Sequence, residues 1–123
     1  MKSKKYLVIG NPIDHSLSPK LQNYWLKQKN IDASYDKIKL EKKEIKNLIN
    51  DLRQKKIAGC NVTVPFKKKV IPFLDKLSSV AKQTQSVNTI IFENGELIGH
   101  NTDVVGFEIA VKKLNFSFKN KKI

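Results

Sequence analysis

Cysteine and histidine are scarce in this chain of 123 residues. Cys60 is the only cysteine, which excludes an internal disulfide framework and any zinc site that needs several thiolates. The two histidines, His15 and His100, are far apart in the sequence and lack the spacing of metal ligands, so we assign no metal. A single cysteine also fits a reducing compartment, and we therefore expect a cytoplasmic protein.

Long apolar runs are lacking too. The apolar run at residues 6–9 is too short for the core of a signal peptide and leads directly into a Gly-Asn-Pro turn. No other run approaches the ~20 residues of a transmembrane helix, so we expect a soluble protein without a membrane partner. The length predicts one domain that buries its own core.

Arginine is almost missing although the chain is strongly basic. Arg53 is the only arginine, and the formal net charge of +13 comes from lysines spread between Lys2 and Lys122. Base readout and base stacking favour arginine and aromatic side chains interleaved with basic residues, a pattern that this chain does not show. We therefore predict no nucleic-acid partner, whereas a small anionic ligand would be attracted by the positive field.

The sequence does contain a clear alternation of strands and helices. Residues 6–10 and 33–40 are predicted to be strands, residues 41–56 a helix, and residues 60–64 a further strand. The residues expected to pack in the second strand and in the helix are Tyr35, Ile38 and Leu40, and Ile45, Leu48, Ile49 and Leu52. This alternation is typical of an α/β fold with a mostly parallel sheet and helices on both faces.

The strand at residues 60–64 continues into the segment NVTVPFK, residues 61–67. Its side chains alternate between a packing set and a polar set, namely Cys60, Val62 and Val64 against Asn61 and Thr63. Pro65 cannot continue a central ladder, so the strand should end there and leave Lys67 just past its carboxyl end. Ligands bind at that end in open α/β sheets. The alternative is an ordinary core strand followed by a solvated lysine run at residues 67–69.

A helix is predicted to start at Ser18, because a hydroxyl that can cap is followed by Pro19 in the first turn. One face of this helix carries Leu21, Tyr24 and Trp25. Ser16 and Ser18, together with the free N–H groups of the helix start, form a possible carboxylate site. The alternative for Ser18 is a purely structural cap, and His15 is interpreted as a structural hydrogen-bonding residue of the turn.

Two apolar runs around Asn94-Gly95 predict a β-hairpin at residues 87–100. With these two turn residues, Glu93 faces Glu96 and Phe92 faces Leu97. Continuing the ladder places Asn88 opposite Asn101, and therefore beside Asp103.

Helices are predicted on both sides of the hairpin in the sequence. One begins near Ser78, and Asp103 opens another whose apolar face is Phe107, Val111 and Leu114. Residues 119–123 are predicted to begin a further strand.

Four motifs together resemble the substrate-binding domain of shikimate dehydrogenase. They are GNPIDHSLSP at residues 10–19, NVTVPFK at residues 61–67, VNT at residues 87–89 and GHNTD at residues 99–103. The resemblance covers essentially the whole chain. It implies a substrate-binding domain at residues 1–114, and at residues 115–123 a linker and the start of a Rossmann domain that binds NADP and is absent here. Indeed, no glycine-rich dinucleotide fingerprint occurs in the sequence.

The resemblance also implies an activity, the reversible NADPH-linked reduction of 3-dehydroshikimate to shikimate in aromatic amino-acid biosynthesis. By motif position, the carboxylate of the substrate would be held by Ser16 and Ser18, its ring hydroxyls by Thr63, Asn88 and Asp103, with Asn61 and Asn101 in support, and Lys67 would exchange the proton. Such a role suits an ammonium group, because hydride transfer to a ketone builds negative charge on its oxygen. The alternative is a stand-alone, non-catalytic binding module for a small polyhydroxylated carboxylate.

Overall fold

A computed structural model describes residues 4–14 and 16–103 of the chain. Several predictions lie outside these residues: the role of His15, the final helix with Phe107, Val111 and Leu114, the strand at residues 119–123, and the domain boundary after residue 114. These stay predictions.

Six strands form one sheet in the order β2-β1-β3-β5-β6-β4. Their bounds are β1 Lys4–Gly10, β2 Ala33–Lys39, β3 Gly59–Val62, β4 Lys76–Leu77, β5 Thr89–Glu93 and β6 Glu96–His100. Strand β1 pairs in parallel with β2 and β3, and β4 pairs in parallel with β6, whereas β5 is antiparallel to both of its neighbours. The predicted mostly parallel sheet with one hairpin is therefore confirmed.

Three α-helices are described: α1 Ser18–Gln28, α2 Ile45–Arg53 and α3 Ser79–Thr84. Helix α2 is shorter than predicted because a 3₁₀ turn, Lys42–Glu44, precedes it and the helix ends at Arg53. Helix α3 begins as predicted, with the Ser78 hydroxyl accepting the Ala81 N–H at 3.2 Å. None of the helices in the described part of the chain is long and apolar enough to cross a membrane.

The core lies mainly on one face of the sheet. Side chains alternate along β1, so that Leu7 and Ile9 belong to the large cluster with α2, while Val8 belongs to a smaller cluster on the other face with Tyr35. The predicted stripe of α2 is buried throughout: Ile45, Leu48, Ile49 and Leu52. Leu26 of α1 packs against the smaller cluster, so helices cover both faces.

Two predicted packing residues are exposed. Ile38 has 40% of its surface exposed because β2 is an edge strand whose second half leaves the core. Val64 is 64% exposed because β3 already ends at Val62, and the chain then leaves the pleat. The carbonyl of Val64 instead accepts the N–H of Asn11, which ties the segment after β3 to the segment after β1.

The start of α1 differs from the prediction in one detail. The helix begins at Ser18, but the residue at its N-cap is Leu17, which makes no side-chain cap. The Ser18 hydroxyl is therefore not the cap; instead the hydroxyl of Ser16 accepts the Ser18 N–H at 3.3 Å. No residue of α1 is buried, and its large apolar side chains, Leu21, Tyr24 and Trp25, are about half exposed.

The hairpin register is as predicted. Glu93 pairs with Glu96 and Phe92 pairs with Leu97. Asn94 and Gly95 have φ of 53° and 78°, the left-handed conformation that a two-residue hairpin turn requires. The ladder continues past the strand ends, since the N–H of Asn88 donates to the carbonyl of His100 at 3.0 Å.

Candidate functional site

The sheet topology brings four chain segments to one edge. Strands β1, β3 and β6 end there, and β5, which runs in the opposite direction, begins there. Ser16 follows β1, Thr63 follows β3, Asn88 precedes β5 and Asp103 follows β6. These residues are far apart in the sequence but belong to one edge of the sheet, the edge at which open α/β sheets bind ligands.

Three of the predicted hydroxyl groups line one cavity. Ser16, Ser18 and Thr63 surround a space of about 270 Å³ together with Val8, Pro12 and Ile13. A small organic acid needs roughly this volume, and hydroxyl groups can donate hydrogen bonds to its carboxylate.

The segment that carries Ser16 is held by hydrogen bonds on both sides. Its own N–H donates to the carbonyl of Ile13 at 3.0 Å, and the ammonium of Lys37 donates to the carbonyl of Asp14 at 2.6 Å. Gly10 lies next to two residues that line the cavity: a Cβ atom on it would clash with the Thr63 methyl group and lie 3.1 Å from Ile13 Cδ1. The backbone of β1 therefore approaches Thr63 as closely as glycine allows.

Lys67 and Asp103 form an ion pair, with Nζ 2.8 Å from Oδ2. Their side chains are 34% and 53% exposed, so a ligand can reach both. The position of Lys67 is fixed by its neighbours: Phe66 is 2% exposed in the core, and the Lys67 carbonyl accepts the N–H of Val87 at 2.7 Å. The alternative of a fully solvated lysine run fits Lys68 and Lys69, which are exposed, but not Lys67.

Asn88 connects the hairpin to Asp103. Its side-chain NH₂ donates to Asp103 Oδ1 at 3.0 Å and to the Thr102 hydroxyl at 2.8 Å, while its side-chain oxygen accepts the Thr102 N–H at 3.0 Å. The predicted placement of Asn88 beside Asp103 is therefore confirmed. Asp103 uses one carboxylate oxygen for Asn88 and the other for Lys67.

Asn61 lies behind this pair, on the polar side of β3. Its NH₂ group donates to the Asn88 carbonyl at 3.3 Å and to the Thr89 hydroxyl at 3.1 Å. Its oxygen accepts the hydroxyl of Tyr35 at 2.7 Å. Asn61 is thus oriented by three protein groups.

Tyr35 has a role that the sequence pattern did not indicate. It was expected only to pack, and it is buried, but its hydroxyl also contacts Asn61. The pKa of Tyr35 is raised to about 12, mainly by burial and secondly by the negative charge of a Cys60 thiolate, while a hydrogen bond with the Ser18 side chain opposes both. The available signal was that a strand tyrosine carries a polar end that needs a partner. Its backbone is held by Asn23, whose side chain accepts the Tyr35 N–H at 2.9 Å and donates to its carbonyl at 2.7 Å.

Asn101 is buried, with 7% of its surface exposed. Its NH₂ group donates to the carbonyl of Ser86 at 3.0 Å and to the hydroxyl of Thr84 at 3.2 Å, and its oxygen accepts the Asp103 N–H at 2.9 Å. Asn101 therefore supports the backbone that carries Asp103 and does not line the hydroxyl cavity.

The site thus combines a cavity lined by three hydroxyl groups with an accessible ammonium–carboxylate pair. Hydroxyl groups bind a carboxylate through donated hydrogen bonds, and an amide, an ammonium and a carboxylate can bind alcohol groups. Among residues 4–14 and 16–103, no cluster of three or more His, Cys, Asp or Glu residues has an arrangement that could hold a metal ion.

The chain is similar to known proteins along nearly its whole length. Residues 8–90 match the sequence family described as the shikimate dehydrogenase substrate binding domain. Over 119 residues the chain is 55% identical to a shikimate dehydrogenase (NADP(+)) of Pelagibacter ubique, and this match covers 97% of the chain and 45% of that protein.

Solved structures give the same result. Shikimate dehydrogenase from Aquifex aeolicus superimposes with a TM-score of 0.84 at 41% identity, covering 91% of this chain and 42% of that one. Shikimate 5-dehydrogenase from Listeria monocytogenes, in complex with shikimate and NAD, superimposes with a TM-score of 0.86 at 34% identity and covers 92% of this chain and 39% of that one. The chain therefore spans less than half the length of these relatives.

Proposed function

The chain belongs to the shikimate dehydrogenase substrate-binding domain family, and from this premise we propose that it binds shikimate and 3-dehydroshikimate at the edge of the sheet described above. The observation that carries the proposal is the convergence of Ser16, Thr63, Asn88 and the Lys67–Asp103 pair on that edge. The Listeria monocytogenes relative was solved with shikimate, which supports this choice of ligand.

In this proposal the cavity beside α1 receives the carboxylate of the substrate. Ser16 and Ser18 donate hydrogen bonds to it through their hydroxyl groups, and the positive end of the α1 dipole attracts its negative charge. Thr63 lines the same cavity and binds a ring hydroxyl. Asn61 supports Asn88, because its NH₂ group donates to the Asn88 carbonyl.

The reacting carbon lies near Lys67 in this proposal. Reduction of the ketone places negative charge on its oxygen, and the Lys67 ammonium stabilises that charge and supplies the proton. Asp103 holds the ammonium at 2.8 Å and, with Asn88, binds a neighbouring hydroxyl of the ring. Asn101 fixes the turn that carries Asp103.

The cofactor is assigned to another part of the protein. The described residues contain no glycine-rich dinucleotide site, so we propose that NADP, which the Pelagibacter ubique relative carries in its name, binds to a further Rossmann domain, where its reduced form, NADPH, would supply the hydride. The activity would be the NADPH-linked, reversible reduction of 3-dehydroshikimate in aromatic amino-acid biosynthesis. A cytoplasmic location fits the free, buried thiol of Cys60.

A chimera tests the catalytic part of the proposal. In it, this chain replaces the matched segment of the Pelagibacter ubique enzyme, and NADP reduction with shikimate is followed by absorbance. We expect Lys67→Ala to lower the rate by about 10²-fold or more, which is the usual contribution of a general acid or base. The matched control, Lys69→Ala, removes an exposed lysine two residues away and should keep the rate.

Three outcomes separate the alternatives. Equal rates for Lys67→Ala and the unaltered chimera would remove Lys67 from the proton transfer. Shikimate binding without turnover in the unaltered chimera would favour the non-catalytic binding module. The 123-residue chain alone should not oxidise NADPH, and measurable oxidation by it would contradict the assignment of the cofactor to a further domain.

A further inference from the structure

Thr89 belongs to the VNT motif, and its side chain lies between those of Asn61 and Asn88. The proposed function gives it no contact with the substrate. In the sheet it pairs with Asn61 on β3 and with His100 on β6. Its hydroxyl accepts a hydrogen bond from the NH₂ group of Asn61 at 3.1 Å and donates one to the side-chain oxygen of Asn88, also at 3.1 Å. One hydroxyl therefore links a donor to an acceptor.

The orientation of the Asn88 amide is determined by partners that can only donate or only accept a hydrogen bond. The Thr102 N–H can only donate, so it must meet the Asn88 oxygen, and the Asp103 carboxylate can only accept, so it must meet the Asn88 NH₂ group. In the flipped amide both contacts would become repulsive. The oxygen of Asn88 then has one further acceptor position, and the Thr89 hydroxyl occupies it.

The orientation of Asn61 follows in the same way. The carbonyl of Asn88 can only accept, so it must meet the NH₂ group of Asn61. The second N–H of that group points to Thr89, whose oxygen accepts it and whose proton is thereby left for Asn88. A hydroxyl group can donate and accept at once, whereas a methyl group can do neither.

We propose that Thr89 is a positioning residue for the catalytic pair: Thr102 and Asp103 select the orientation of the Asn88 amide, and the Thr89 hydroxyl adds a further hydrogen bond that holds Asn88 there, with its NH₂ group on Asp103 Oδ1 and with Oδ2 left for Lys67. The hydrogen-bond chain runs from Asn61 through Thr89 and Asn88 to Asp103 and ends at Lys67. Thr89 does not line the hydroxyl cavity. The proposal rests on the proposed function, because it assigns a role in the binding of shikimate.

The test compares Thr89→Val, which keeps the shape and removes the hydroxyl, with Thr89→Ser, which keeps the hydroxyl. Both are made in the 123-residue chain, and shikimate binding is measured by calorimetry. Thr89→Val should weaken binding by about tenfold or more, because two amide groups lose a partner, whereas Thr89→Ser should stay within about twofold of the unaltered chain. Equal affinity for Thr89→Val and the unaltered chain would overturn the proposal.

A spectroscopic readout separates positioning from general loss of stability. The side-chain NH₂ signals of Asn88 and Asn61, observed by ¹⁵N NMR without ligand, should exchange faster with water in Thr89→Val than in Thr89→Ser. If the NH₂ signals exchange with water at the same rate in Thr89→Val as in the unaltered chain, the proposed role of Thr89 is wrong, whether or not shikimate binds. If shikimate binds to no variant and not to the unaltered chain, the proposed function is refuted instead. If Thr89→Val does not fold, the hydroxyl proton of Thr89 is observed in the unaltered chain instead. A slowly exchanging proton signal close to Asn88 supports the hydrogen bond from Thr89 to Asn88, and a signal that exchanges rapidly with water overturns the proposal.

Discussion

Replacing Gly10 by alanine should damage the ligand site more than it damages the fold. The added Cβ would clash with the methyl group of Thr63 and would lie 3.1 Å from both Ile13 Cδ1 and the Val64 carbonyl oxygen. Thr63 and Ile13 both line the cavity, so a displacement of the Thr63 side chain changes the shape of the cavity.

The expected magnitudes follow from overpacking. An extra methyl group in a tightly packed site costs about 1–3 kcal/mol, which is a fraction of the free energy of unfolding of a domain of this size. If shikimate binding requires the Thr63 side chain in its original position, the bound state has to take up this strain again, and shikimate affinity should fall by about 5–150-fold. Gly10→Ala should therefore remain folded at 25 °C but bind shikimate poorly.

The matched control is Gly95→Ala at the tip of the hairpin. Gly95 has a φ of 78° and nothing within 4 Å of an added Cβ, so alanine there brings backbone strain of about 1–2 kcal/mol without a clash. Strand β5 separates this turn from the site by about 17 Å, the length of a five-residue strand. Unfolding in urea should show that both variants are destabilised, while only Gly10→Ala loses affinity in calorimetry.

A double substitution tests the cause. Thr63→Ser removes the methyl group that meets the new Cβ and keeps the hydroxyl, so Gly10→Ala combined with Thr63→Ser should recover part of the lost affinity, and the two changes should not be additive. Gly10→Ala with unaltered affinity, or a double variant in which the two losses simply add, would refute the close approach of β1 to Thr63 as the feature that shapes the cavity.

Two further predictions concern titration. The Arg53 guanidinium, which donates two hydrogen bonds to Asp75, and then the Leu97 N–H hold the pKa of this carboxyl below its usual range. The lowered pKa stabilises the fold at pH values above about 3.9, the pKa of the unfolded carboxyl, and this stabilisation is lost as the pH falls through the folded pKa. The melting temperature of Asp75→Asn should therefore fall less in acid than that of the unaltered chain. An equal fall of the two melting temperatures below pH ~4 would contradict this. Burial raises the pKa of the Cys60 thiol to about 12, so DTNB at neutral pH should label this thiol only after the chain is unfolded in urea. Rapid labelling of the native chain would show that Cys60 is accessible and would contradict its burial.

Local chemistry made some features of the fold predictable. The Asn94-Gly95 pair determines the hairpin register through its left-handed turn, and that register alone places Asn88 beside Asp103. The apolar spacing of α2 likewise identifies its buried face. Such features depend on neighbouring residues, so a single sequence contains the required information.

Features that depend on distant segments were missed. Strand β4 has two residues, Lys76–Leu77, and is too short for any periodicity; it forms because β6 offers a free edge. The exposure of Val64 depends on the segment after β1, and the contact of the Tyr35 hydroxyl with Asn61 depends on how strands β2, β1 and β3 are ordered.

The candidate site was predicted from both kinds of information. The alternation along β3 predicted a polar face with Asn61 and Thr63, and the topology rule for parallel strands predicted the edge at which Lys67 lies. The pairing of Lys67 with Asp103 required the resemblance to a family, because the two residues are separated by 36 positions and no local pattern connects them.

The most direct test of the account is a titration of the 123-residue chain with shikimate, followed residue by residue in NMR spectra. We expect saturable shifts at Ser16, Thr63, Asn88 and Lys67, with Gly95 at the hairpin tip unaffected. Shifts that are absent, or that appear only at exposed lysines and fade with added salt, would contradict the claim that these four residues form a single binding site.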